Sequence, residues 1–145
     1  MKALLEDAAD VVASGWVQHA WFSYRCEQGH EHTAVARPLH MMEGSTVTGA
    51  CLVGAIVHSG GGPAAVRTQL VQRSLDIAWH ALYEDEGRSV RWCPAPSVRM
   101  AHVRDLTRWN DHPQRRAEEV HALLEAAGQA TVLETERLRG SLVAL

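Results

Sequence analysis

The chain has almost no lysine, little phenylalanine or tyrosine, and no long apolar run. Lys2 is the only lysine, and every other basic residue is arginine. With abundant alanine and valine this points to a GC-rich genome such as an actinobacterial one, a matter of codon usage rather than mechanism. The longest apolar run, ACLVGAIV at 50–57, falls far short of the roughly 20 residues a membrane helix needs. No membrane partner is expected. The opening MKALLEDAAD turns acidic at Glu6 and Asp7, which is not the pattern of a secretion signal. Cysteine is scarce and odd in number, with Cys26, Cys51 and Cys93 and no paired CxxC. A disulfide framework is therefore not expected, and free thiols in a reducing cytoplasm are. No phosphate-binding motif is present either. HSGGGP at 58–63 lacks the Lys-Ser/Thr of a phosphate loop and the spacing of a dinucleotide turn, so it reads as a hinge or linker.

What is present is ordinary globular composition. The 145 residues are 46% hydrophobic and 21% charged, enough to bury a core in one domain spanning 1–145 without staples. A net charge of -3 and a pI near 6.3 argue against a nucleic-acid binder acting through bulk charge. Nine histidines make the charge sensitive near neutral pH.

Periodicity predicts mostly helix. Leu4, Leu5, Ala8, Val11 and Val12 share one face of a first helix that Gly15 ends. WVQHAWFSYRC and TAVARPL, separated by EQGHEH, allow one small hairpin. MMEGSTVTG reads as loop, with Thr46 or Thr48 capping a helix through ACLVGAIVHS. A long helix is expected from Pro63 to Gly87, with Val66, Leu70, Ile77, Ala78 and Leu82 as its apolar stripe. RSVRWCPAPS reads as loop or edge strand. A weaker helix follows through SVRMAHVRDLTRW, and a final one starts near Pro113 with Val120, Leu123, Leu124 and Ala127 on its buried face. The expectation is a mainly α, single-domain bundle of about five helices with at most one small β-hairpin.

Four groups of residues have chemistry within reach. Trp109-Asn110-Asp111 stands just before the last helix, where Asp111 is expected as its N-cap. The functional alternative makes Trp109, Asn110 and Asp111 the wall of a site. Cys51 lies at the start of a helix, whose dipole lowers a thiol pKa when a base is beside it, yet its small neighbours equally fit a buried core position. Cys26, His30 and His32, with His40 further on, supply zinc-type donors. Without a CxxC knuckle, a histidine-rich surface turn is the expected reading, and no metal is. Asp76, His80 and Glu84 are spaced four apart on one helix face. His80 is then a candidate acid or base, against the plainer reading of a solvated face, which also applies to His121 between Glu118 and Glu125. Trp16, Trp21, Trp79, Trp92 and Trp109 serve helix packing or wall a pocket for an apolar ligand.

An Ala-rich first helix ending in GWVQ, then CLVGAI, RWND and AEEVHALLEAA, in that order, resemble a family of small actinobacterial and phage proteins, domain of unknown function 6197. The residues carrying the resemblance are Gly15, Trp16, Cys51, Gly54, Ala55, Trp109, Asn110, Asp111, Glu119 and Val120. FSYRCEQGHEHTAVARPLH and RWCPAPS match poorly. Family members often carry threonine where Arg116 stands, which would make a capping box with Glu119. Its absence shifts the expected cap to Asp111. The resemblance implies a layout and no activity.

The expected function is a cytoplasmic accessory protein that binds a small molecule or a partner protein, a second copy included, in a groove near Trp16, Trp109 and Asn110, with no cofactor. The alternative is a small cofactor-independent hydrolase, cyclase or isomerase of an actinobacterial specialised pathway. In it, Cys51 or a histidine such as His80 acts as nucleophile or base and Asp111 orients it.

Overall fold

The computed structural model describes residues 1–34, 46–84, 88–92 and 95–144. The elements run α1 (Lys2–Ser14), β1 (Phe22–Arg25), β2 (Glu31–Ala34), β3 (Thr46–Ala50), α2 (Leu52–Ser59), a single 3-10 turn (Pro63–Ala65), α3 (Gln69–Tyr83), α4 (Pro96–Asn110) and α5 (Ala117–Val143). Val35 to Leu39 of the expected returning strand, His40 as a fourth donor, Gly87 as a helix end and Cys93 as a free thiol fall outside the described residues.

The core forms around α2. Leu52 to Val57 are buried all round, the pattern of a helix enclosed on every side. α1 packs on α2 and along α5, and α3 packs against α5 and α4. α1 buries Leu4, Leu5, Ala8, Ala9 and Val12, and α5 buries Val120, Leu123, Leu124 and Ala127, the faces their spacing predicts. Among the described residues no helix is long and apolar enough to cross a membrane.

The sheet is larger than the single expected hairpin. Three antiparallel strands lie in the order β2-β1-β3. β1 pairs with β2 from Phe22↔Ala34 to Arg25↔Glu31. β3 occupies the stretch expected as a capping loop, pairing Phe22↔Ala50 and Ser23↔Gly49 before a register shift to Tyr24↔Val47. Short side chains at 46–50 hid this strand in the sequence. Its β-branched residues are fixed by pairing with the buried centre of β1 rather than by an apolar alternation of their own. Thr46 and Thr48 are thus strand residues, and Cys51 caps α2, its sulfur accepting from the Gly54 N–H at 3.2 Å.

Three helix boundaries also differ. The long predicted helix breaks after the 3-10 turn, because Thr68 stands in extended conformation and caps a new start at Gln69. Val71, Leu75, Ile77 and Ala78 form its buried face, while Leu70 is 46% exposed. α5 begins at Ala117, with Arg116 as its N-cap residue. The Glu119 carboxylate accepts from the Arg116 N–H at 3.0 Å, so half of a capping box forms without a threonine. Asp111 is consequently the C-cap of α4 and not the N-cap of α5. Gly128 interrupts nothing, and α5 runs on to Val143.

Candidate functional site

The Trp-Asn-Asp triplet holds the fold together from inside. Asn110 is 0% exposed, and all four capacities of its amide are engaged. Its Oδ1 accepts from Trp16 Nε1 at 2.8 Å and from the Leu52 N–H at 3.0 Å. Its Nδ2 donates to Val17 O at 3.2 Å and to Asp111 Oδ1 at 3.0 Å. One side chain thus joins the end of α4 to the start of α2 and to the segment after α1. Asp111 extends the join by accepting from the His19 N–H at 3.0 Å, at a residue with φ 62°, a left-handed conformation that needs support in a non-glycine. Gln18 Nε2 adds bonds to Asn110 O and His112 O. The Arg115 guanidinium lies 3.9 Å from the centre of the Trp109 ring and donates to Trp109 O. Of the expected Trp-lined groove, the Trp16 indole N–H and the Asn110 amide are therefore occupied by bonds within the fold.

Cys51 is 2% exposed. Burial pushes its thiol from the ordinary 9.0 up to about 11, against the opposing pull of the Gly54 N–H. The helix start does not make a thiolate here, because loss of hydration outweighs the dipole. This shift fixes a pH dependence. Between about pH 9 and 11 the unfolded chain releases this proton and the folded chain does not, so stability falls as pH rises through that window. About 3 kcal/mol is the expected loss. Cys51→Ser keeps an N-cap without a titrating thiol. Urea unfolding of both proteins across that range should give diverging pH profiles, and parallel ones would contradict the assignment.

The Asp76, His80 and Glu84 series lies in a different setting from the solvated face its spacing suggests. Asp76 is 1% exposed and His80 6%, because α3 is covered by α4 on one side and α5 on the other. Asp76 faces Arg99 at 3.6 Å and His102 Nδ1 at 3.4 Å. The His102 ring stacks on Trp79, with centroids 4.1 Å apart, and Trp79 Nε1 donates to Asp105. His121 does sit on a solvated face, 3.8 Å from Glu125.

His80 borders a partly open groove of about 380 Å³ between α3 and α5, whose rim includes the 58% exposed Leu133. Ala81, Val90, Ala126, Ala130 and Leu133 form its apolar lining. Its polar side chains are His80, Glu84, Arg88, Gln129, Glu134 and Arg137. Glu134 accepts from Arg137 at 2.7 Å, Arg88 lies 3.5 Å from Glu84, and Arg137 also donates to Ser89. A second cavity of about 190 Å³ shares His80 and Glu84 and is closed by Trp79, Val98 and His102. A shallower groove of about 670 Å³ runs between the starts of α3 and α4. Its lining includes Met100, which is 73% exposed, so it is the more open of the two surfaces.

Sequence reasoning reached His80 and Glu84 but not the far wall. One signal was available. The buried face of α5 continues past Ala127 as Thr131 and Glu134, and a carboxylate on a buried stripe marks a place where the helix faces something polar.

Cys26, His30 and His32 do converge. Their sulfur and ring nitrogen donors all lie within 4.8 Å of one another at the β1–β2 turn. Cys26 and Cys51 are both free thiols.

The family model described as "Family of unknown function (DUF6197)" matches residues 1–130. No curated protein and no solved structure matches the chain.

Proposed function

The chain belongs to the DUF6197 family of unknown function, and we propose that it is a small-molecule-binding protein whose ligand sits between α3 and α5. The cavity there supports this reading. Ligand sites are concave, mostly apolar surfaces with a few convergent polar groups. Here a groove of about 380 Å³, within the size range of ligand pockets, has small residues at Ala81, Ala126 and Ala130 and the polar side chains of His80, Glu84 and Glu134 on its walls. The described charges on its wall, Arg88 and Arg137 against Glu84 and Glu134, cancel as pairs. An uncharged or zwitterionic molecule with an apolar body fits such a wall. No covalent step by Cys51 is part of the reading.

Ala130→Phe, which fills the space, provides the test. Compounds from a fragment collection that raise the melting temperature of the wild-type chain should lose that effect in the variant. At saturation near 100 times Kd the expected stabilisation is about 2.7 kcal/mol, a shift of roughly 9 °C at this size. Hits that stabilise Ala130→Phe equally well would place the ligand elsewhere.

One observation favours an enzymatic alternative. The His80 ring borders both cavities with Glu84 beside it, so acid–base chemistry on a bound molecule would fall to His80 rather than to Cys51 and Asp111.

A further inference from the structure

We propose that the tip of the β1–β2 hairpin is a transition-metal site, with Cys26, His30 and His32 among its protein ligands and zinc as the fitting ion.

The hairpin geometry brings the three together. Cys26 N–H donates to His30 O at 3.0 Å and Gly29 N–H to Cys26 O at 2.9 Å, closing a three-residue loop. Gly29 has φ 82°, the left-handed position that such loops reserve for glycine. Cys26 is therefore directly across from His30. The two-residue period of a strand puts His32 on the same face as His30, beside Cys26 on the diagonal. His32 is also the partner of Tyr24, and their rings stack at 5.4 Å. Tyr24 is itself buried, so it forms a fixed floor that sets the plane of the His32 ring, as the outer partners of metal-binding histidines do. Glu31 points to the other face, where it binds Arg25 and Thr48, and takes no part.

The donor set selects the metal class. One thiolate and two imidazoles suit a borderline-soft ion, and tetrahedral zinc is the common choice. With Zn–S near 2.3 Å and Zn–N near 2.0–2.1 Å, tetrahedral ligand atoms stand about 3.3–3.6 Å apart. Side chains now within 4.8 Å reach that spacing by small rotations, and His30 and His32 are exposed and free to make them. On binding, Cys26 gives its thiol proton to solvent and both imidazoles coordinate as neutral rings. Among the described residues three protein donors gather here, and a water or a further ligand completes the tetrahedron.

The test uses Co²⁺ and Zn²⁺ alone on the reduced full chain. Co²⁺ should bind with one equivalent per chain and show a thiolate-to-cobalt charge-transfer band, and Zn²⁺ should displace it. Cys26→Ser should abolish the band. His30→Ala and His32→Ala should each weaken Zn²⁺ binding by more than roughly 100-fold, beyond the usual effect of outer partners. His121→Ala, on the solvated face of α5, should leave affinity unchanged. Far-ultraviolet circular dichroism should show all four variants folded, since the three ligands stand at a surface turn. A missing charge-transfer band, or one that survives in Cys26→Ser, would overturn the assignment. So would Zn²⁺ affinity indifferent to His30 and His32, which would move binding to other histidines.

Discussion

Asn110→Ala is expected to lower stability by about 4 kcal/mol. The substitution removes a fully buried amide whose four bonds connect three separate parts of the chain. Two of the groups left behind lose their partner, the part-buried Trp16 indole N–H and the fully buried Leu52 N–H. Each buried donor left unpaired costs about 1–3 kcal/mol, and the Leu52 N–H is among the groups at a helix start that have no partner within the helix. Asn110→Asp should not rescue the loss. A carboxylate can still accept from Trp16 and Leu52, but it cannot donate to Val17 O, and it would face Asp111 Oδ1 where the amide now donates to it. Urea unfolding midpoints of the three proteins give the comparison. A loss below about 1 kcal/mol for Asn110→Ala would show that water or rearrangement replaces the amide, and the triplet would lose its role as a structural join.

Gly54→Ala should be comparably damaging, at more than about 3 kcal/mol, the upper end of overpacking effects. A methyl group at Gly54 would stand 2.0 Å from Trp21 O. That oxygen cannot move aside cheaply, because it already accepts from the Cys51 N–H at 3.0 Å, at the junction of β3 and α2. The close approach of α2 to the backbone at Trp21 therefore requires glycine for space, not for dihedral freedom. Gly128 offers the contrast within the same chain, since a methyl group there meets nothing within 4 Å. Gly128→Ala serves as the control in the same unfolding series. Equal tolerance at both positions would contradict the packing described here.

These two positions also show what the sequence could and could not reveal. The apolar faces of α1 and α5 were legible because burial on one side imposes a helical period directly on residue type. The small-residue run around Cys51 was legible as a place of close approach. The partner was not, because Trp21 O is a backbone atom and leaves no mark in composition. Asp111 is legible as a helix-end residue, yet it ends α4 instead of starting α5. Pro113 beside an aspartate reads as a helix start, whereas the chain makes a turn at 111–116 before Arg116 begins α5. β3 was missed because Thr46–Ala50 owes its conformation to pairing with β1. The Asp76 and His80 positions illustrate the opposite failure. Their spacing was read correctly, but burial of a charged helix face depends on which helices pack against it, and one strand of sequence does not encode that locally. The α3–α5 cavity is non-local for the same reason, its walls coming from residues about 50 positions apart.

The most direct measurement on the proposed function is to map a bound fragment by amide chemical-shift changes on the isotope-labelled chain. The largest changes should fall on His80 to Glu84 and on Ala126 to Arg137, the two walls of the groove, and should vanish in Ala130→Phe. Changes centred on Trp16, Trp109 and Asn110 instead would contradict that placement, because they would require the buried join to open and accept a ligand in place of its own hydrogen bonds.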